Sequence, residues 1–263
     1  MKIIPKKSLG QNFLTDKNIL NKIINLIDIK GKTILEIGPG TGKLSSFIIE
    51  KEPKKFFAVE KDKNLSSFLQ KEFNNKIEII NKDILKIDEK TISQDKLVVF
   101  GNLPYNISTE ILCKWILNLE DNKFWFDNLI LMFQKEVADR ITSNYNSHNY
   151  GRLSILANWK LKINKVFDIK PSSFYPKPKV NSSLLILSPR KNFFKLKDPF
   201  NLERITRVFF SQRRKMIKKP YNKIFSGNTA ILSRLNIDLN SRPQNLRFET
   251  YYKLTEEYEK LKG

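Results

Sequence analysis

The apolar run Val98-Val99-Phe100 stops abruptly at Gly101-Asn102-Leu103-Pro104-Tyr105, and this junction limits the fold of the chain. β-Branched and aromatic residues that end in Gly, Asn and Pro read as a buried strand opening into a loop. In an open α/β sheet, ligands bind beyond the carboxyl ends of the strands, which places Asn102, Leu103, Pro104 and Tyr105 at a site crevice. Pro104 fixes its own φ and pushes Leu103 towards an extended conformation, so the loop is stiff. The Asn102 side chain and a backbone carbonyl are neutral acceptors suited to the two N–H groups of an exocyclic amine, and the Tyr105 ring offers a stacking platform for a base. Taken alone, the tetrapeptide also fits an ordinary strand-ending turn.

The strands before it strengthen the first reading. The segment Lys32 to Ile37 reads as the first core strand and leads into Gly38-Pro39-Gly40-Thr41-Gly42, with a helix through Ile49. Glycines there let the backbone approach a ligand and turn into the helix. Their G-x-G-x-G spacing, preceded by Glu36, departs from the G-x-G-x-x-G of dinucleotide binders and is closer to a loop that wraps a nucleoside and amino-acid moiety. The next strand, Lys55 to Val59, ends in Glu60, whose carboxylate has the position to accept both ribose hydroxyls of a nucleoside; a surface charge flanking Lys61 and Lys63 is the alternative. A further strand, Ile77 to Ile80, leads to Asp83, either an acceptor for an adenine amino group or the start of an Asx turn. Several strand-end features in one register outweigh any of them singly.

The N-terminal residues 1–16 form a polar segment, a candidate strap over the sheet or a frayed arm, ahead of a helix capped by Asp16 with apolar positions Ile19, Leu20, Ile23, Ile24 and Ile27. After the central junction come a helix over 107–119, a strand over 128–134, a short helix over 135–141 and an exposed polar loop over 143–151. A Pro-pinned loop follows at 170–180, before an alternating strand from Val180 to Leu187. Its Phe174 and Tyr175 suit stacking on an extruded base, or hydrophobic anchoring of the loop.

Charge separates the classes of partner. The 48 Lys and Arg against 27 Asp and Glu leave a net +21, which points to a polyanion, with nucleic acid foremost, although a Lys-, Asn- and Ile-rich composition accounts for part of it. Beyond Ser188-Pro189-Arg190 the pattern is helical, and Gln212-Arg213-Arg214-Lys215 lies in its densest basic stretch. We therefore expect two domains, 1–189 and 190–263. The single Cys113 sits in an apolar helical pattern and reads as core filling, which excludes a disulfide framework. One histidine, His148, is too few for a histidine metal cluster or a histidine-dependent triad, so no metal is expected. With no apolar run of membrane length, a soluble cytoplasmic protein is expected.

Taken together, Leu9-Gly10-Gln11-Asn12-Phe13-Leu14, Glu36 to Gly42, Val59-Glu60, Asp83-Ile84-Leu85, Gly101 to Ser108, Phe174 to Val180 and Phe210 to Lys215 resemble the ribosomal RNA adenine N6,N6-dimethyltransferases over nearly the whole chain. The Pro-Lys-Pro-Lys-Val loop and the Gln-Arg-Arg-Lys helix favour the small-subunit type over the relatives that methylate 23S rRNA. The resemblance implies an α/β, Rossmann-like class I methyltransferase domain binding S-adenosylmethionine, with a small α-helical C-terminal domain. It implies cofactor contacts at Asn12, Leu14, Gly38, Glu60, Asp83 and Asn102, a tetrapeptide from Asn102 that holds the target adenine, and Phe174 stacked against it. The implied partner is 16S rRNA within the 30S subunit, met by a monomer. The chain departs from the family at Met216-Ile217-Lys218-Lys219-Pro220 and in a C-terminal part that looks trimmed.

Overall fold

The computed structural model describes residues 5–6, 9–120 and 123–263; residues 1–4, 7 and 8 of the expected strap lie outside the described residues. The chain divides into two compact units, the first comprising Met1–Ile111, Asn122–Ala138 and Ile163–Pro189, the second Leu112–Asp121, Asp139–Lys162 and Arg190–Gly263.

The first unit opens with the two-residue strand β1 (Phe13–Leu14) and helix α1 (Lys17–Ile24). Asp16 caps α1 by accepting the amides of Asn18 and Ile19 at 3.0 and 3.3 Å, which satisfies two of the free N–H groups of the first turn. Leu20, Ile23 and Ile24 bury one face of this helix. Strand β2 (Thr33–Ile37), helix α2 (Lys43–Ile49), strand β3 (Lys55–Val59), helix α3 (Lys63–Phe73) and strand β4 (Glu78–Ile80) then alternate. Strand β5 (Leu97–Asn102), helix α4 (Ser108–Leu117), strand β6 (Phe126–Gln134) and helix α5 (Lys135–Ile141) extend the series.

Two segments not expected from periodicity come next, helix α6 (Arg152–Lys160) and strand β7 (Leu161–Ile169). In α6, Leu153, Ile155, Leu156, Ala157 and Trp159 are all buried, so it has no solvent face to set a helical period. The short strand β8 (Phe174–Tyr175) follows, and the sheet is completed by β9 (Ser182–Pro189), which starts two residues later than expected.

Seven strands form one sheet in the order β4-β3-β2-β5-β6-β9-β7, and β1 pairs with β8 separately. From β4 through β6 the neighbours are parallel, and β9 runs antiparallel to β6. Because β2 has β3 on one side and β5 on the other, the strand order reverses there. The crevice beyond the carboxyl ends of β2 and β5 is the switch point at which such sheets bind ligands.

The second unit adds α7 (Pro199–Phe209), α8 (Lys218–Phe225), α9 (Thr229–Leu235) and α10 (Phe248–Lys262). The expected start at residue 190 is too simple, because α6 also belongs here: Tyr252 donates to the Ile155 carbonyl at 3.3 Å and the Trp159 indole to the Phe194 carbonyl at 2.7 Å. The loop over 143–151 is not uniformly exposed either. Tyr150 is buried, its ring edge-on to Phe248 at 5.3 Å and to Phe210 at 6.1 Å. The Arg213 guanidinium donates to the Ser147 and His148 carbonyls, so one cation of the basic motif is committed to holding this loop. Pro220 falls in the first turn of α8, where its missing N–H costs no helical bond.

Candidate active site

The glycine loop between β2 and α2 sets the floor of the site. Gly38 has φ +65 and its amide donates to the Val59 carbonyl at 2.9 Å. A Cβ on Gly38 would meet only the Asn102 carbonyl, at 3.9 Å, so the backbone presents open space to the crevice. Gly40 is different: a Cβ there would lie 2.6 Å from the Phe13 ring, which packs directly on the loop. Bare backbone at 38 admits a ligand, whereas at 40 it admits the strap.

Three acids line up beside this loop. Glu60 is buried and accepts the Gly40 amide at 3.3 Å and the Asp62 amide at 2.8 Å, so it is not the surface charge its lysine neighbours allowed. Burial pushes its carboxyl up, and the peptide N–H groups pull it back. Asp83 accepts the Leu85 amide at 3.1 Å in an Asx turn and pairs with the Lys61 ammonium at 2.8 Å, contacts that hold its carboxyl below the usual range. The Asx turn and a place on the crevice wall thus coexist at Asp83. Glu36, behind the loop, is fully buried and accepts the Ser45 hydroxyl at 2.6 Å; burial raises its pKa to about 7.

Opposite them stands the tetrapeptide. The Asn102 side-chain amide donates to the Asn12 carbonyl at 2.6 Å, which leaves the Asn102 Oδ1 as the acceptor end. Asn12 in turn donates from its own side chain to the Gly10 carbonyl at 3.2 Å. Tyr105 is half-buried, its hydroxyl 2.5 Å from the Ser182 Oγ on β9; burial pushes the phenol up, and the bond to Ser182 offsets part of this. The Pro104 carbonyl accepts the Ile107 amide at 3.1 Å, which uses one of its two lone pairs to start the turn into α4.

Three expected side chains lie differently from a surface that meets a ligand directly. Leu103 is 1% exposed, so its side chain is core and only its backbone is offered to the loop. Leu14 is buried and pairs with Phe174 across β1 and β8. Phe174 itself is 4% exposed within the same apolar cluster, whereas its neighbour Tyr175 is 63% exposed. In this conformation Phe174 anchors the loop, and Tyr175 is the ring in solvent.

Residues from the strap, the glycine loop, the ends of β3 and β4 and the tetrapeptide enclose one crevice with about 890 Å³ of space between its atoms, open solvent at the mouth included. Gly38, Glu60, Asp83, Asn12 and Asn102 all line it. The clear space over Gly38, carboxylates at two successive strand ends and a neutral acceptor opposite match the shape and donor pattern of S-adenosylmethionine. Ser182 and Asp62 complete the site although no motif announced them. Asp62 has a helix-capping signal ahead of α3, but nothing in the sequence ties Ser182 to Tyr105.

The parallel sheet with one antiparallel strand beside β6, and a crevice at its switch point, define a class I S-adenosylmethionine-dependent methyltransferase fold. Residues 5–260 match the family model described as ribosomal RNA adenine dimethylase, and the chain belongs to that family. It is 61% identical over 258 residues to a ribosomal RNA small subunit methyltransferase A of Pelagibacter ubique (strain HTCC1062), covering 98% of each chain. To a protein so described from Wolbachia sp. subsp. Drosophila simulans (strain wRi) it is 40% identical, covering 98% of this chain and 94% of the relative. Among solved structures, a dimethyladenosine transferase from Plasmodium falciparum superposes with TM-score 0.80 at 28% identity, over 94% of this chain and 97% of that one. The 23S rRNA methyltransferase ErmE shares the fold, with TM-score 0.69 at 20% identity over 94% of this chain and 99% of that one.

Proposed function

We propose that the chain dimethylates N6 of two adjacent adenosines in the 3′-terminal hairpin of 16S rRNA, acting as a monomer on the 30S subunit in the cytoplasm during its biogenesis. The reaction is the S-adenosylmethionine-dependent dimethylation of adenine in small-subunit ribosomal RNA. No helix among the described residues is long and apolar enough to cross a membrane.

When bound, the cofactor supplies an electrophilic sulfonium methyl. The chain's own residues position the partners. Glu60 accepts the ribose hydroxyls, Asp83 the adenine amino group of the cofactor, and Gly38 with Asn12, Leu14 and Asn102 close around the rest. The target amine is a poor nucleophile because its lone pair is delocalised into the ring. Asn102 Oδ1 and the remaining lone pair of the Pro104 carbonyl accept its two N–H groups and favour a pyramidal nitrogen, with the backbone of Leu103 spacing the two acceptors. Tyr105 supports the base, and Phe174 stacks on it once the loop moves from its buried position. No strong base is needed, since the alkylated amine is acidic and loses its proton late. Alignment supplies most of the rate, roughly 7 to 11 kcal/mol for well-oriented reactants.

The observation that carries this reading is the Asn102 side-chain amide held by the Asn12 carbonyl, which leaves its Oδ1 as the acceptor, in a crevice that Gly38 also lines. The first unit is the cofactor-binding part, and the second, which α6 joins to the segment from Arg190, is the basic RNA-binding part. Arg214, Lys215, Lys218, Lys219 and Arg242 share one groove that suits phosphates, so Arg214→Ala should lower the salt slope of RNA binding by about one. The deciding experiment is transfer of labelled methyl groups to 30S particles that lack the modification, followed by digestion to nucleosides. Dimethyladenosine from two adjacent positions is expected; label in another nucleoside, or none, would overturn the proposal.

A further inference from the structure

We infer that Asp62 is a positioning residue: its carboxylate clasps the N-terminal strap through Lys6 and Gln11 and thereby holds the Asn12 carbonyl that orients Asn102. This rests on the proposed role of Asn102. The Asp62 side chain is only 3% exposed, and its carboxylate accepts the Lys6 ammonium at 2.9 Å and the Gln11 side-chain amide at 3.3 Å. Gln11 is fixed at its other end, where its Oε1 accepts the Lys6 backbone amide at 2.7 Å. The next residue, Asn12, presents the carbonyl that receives the Asn102 amide at 2.6 Å. Asp62 therefore acts on the transfer loop from the far side of the crevice, through the strap.

The same residue also reaches the cofactor side. Its backbone amide donates to Glu60 at 2.8 Å, so one position steadies both the acid at the end of β3 and the strap. An exposed ion pair would contribute little, but a buried carboxylate with several donors is costly to disturb. The plainer role is capping of α3, since Asp62 Oδ1 accepts the Asn64 amide at 3.0 Å. Two variants separate these roles. Asp62→Ser keeps a capping oxygen but is too short to reach Lys6 and Gln11. Lys6→Ala with Gln11→Ala empties the clasp and leaves the cap untouched.

In the intact chain, kcat on rRNA particles, cofactor KM and the thermal midpoint are measured together. Asp62→Ser and the Lys6→Ala, Gln11→Ala pair should each lower kcat by about tenfold and raise the cofactor KM several-fold, with the thermal midpoint lowered more by the pair, which leaves the buried carboxylate short of donors, than by Asp62→Ser. Combining all three should be no worse than Asp62→Ser alone, because the same two contacts are removed either way. Asp62→Asn, which keeps acceptor and cap, should recover part of the loss. Unchanged kcat in the Lys6, Gln11 pair, or fully additive losses, would overturn the inference, and the pair decides the matter should Asp62→Ser not fold. The site reading fails separately, if Asn102→Ala retains transfer or the parent chain binds no S-adenosylmethionine by calorimetry.

Discussion

The two walls of the crevice are built on opposite electrostatic plans. On one side Glu60 and Asp83 are carboxylates, each held by donors from its own and the adjacent strand end. On the other, Asn102, Pro104 and Tyr105 are neutral, and two of them are fixed by residues distant in sequence, Asn12 and Ser182. The charged wall is thus held through adjacent strand ends, whereas the neutral wall depends on long-range contacts; under the proposed function the first would govern affinity and the second transfer. A neutral wall also accepts an amine that already carries one methyl, so nothing electrostatic blocks a second transfer.

The sharpest way to break this contrast is Asn102→Ala. Methyl transfer should fall by about a hundredfold or more while cofactor binding by calorimetry stays largely intact. Near-normal transfer would remove the distinction between the walls. Glu60→Ala should do the reverse, weakening cofactor binding by roughly tenfold or more, with kcat at saturating cofactor close to the parent.

Glu36 tests whether the buried acid behind the loop is neutral. Its native pKa of about 7 lies above the ordinary value of 4.5, so the native state holds the proton more tightly than the unfolded chain. The resulting contribution is fully present below pH 4.5 and is lost as pH rises through 7. Glu36→Gln, which keeps an acceptor for Ser45, should flatten that slope and stabilise the fold at pH 8 by on the order of 2 kcal/mol, as read by denaturant unfolding. An unaltered pH profile would place the charge elsewhere. The smallest effect belongs to Tyr105→Phe. It removes the bond to Ser182 and should lower kcat by about fivefold, and Ser182→Ala should match it, since either change breaks one neutral hydrogen bond.

Much of the charged wall was legible because its parts sit at strand ends in sequence order: Gly38 after β2, Glu60 after β3 and Asp83 after β4 follow the sheet's own periodicity. The neutral wall was legible only as a motif. That Asn102 is steered by Asn12, and Tyr105 by Ser182, depends on contacts across 90 and 77 residues that no local pattern encodes. Phe174 shows the opposite problem, since a stacking aromatic and a core aromatic have the same sequence signature, and here the ring is packed inside. The division of the chain was misread for a related reason. Helix α6, buried on nearly every side, carries no amphipathic stripe to announce that it belongs with α7 and α10.

The pairing of β1 with β8 has a consequence for how the protein is made. Thr15 donates its amide to the Ser173 carbonyl, and Phe13 and Leu14 find their strand partners only at Tyr175 and Phe174. A chain leaving the peptide exit tunnel therefore carries its first strand unpaired until about two-thirds of its length has been synthesised. Until then the strap that brings the Asn12 carbonyl to Asn102 lacks the strand partner that fixes it, so this corner is completed late in translation.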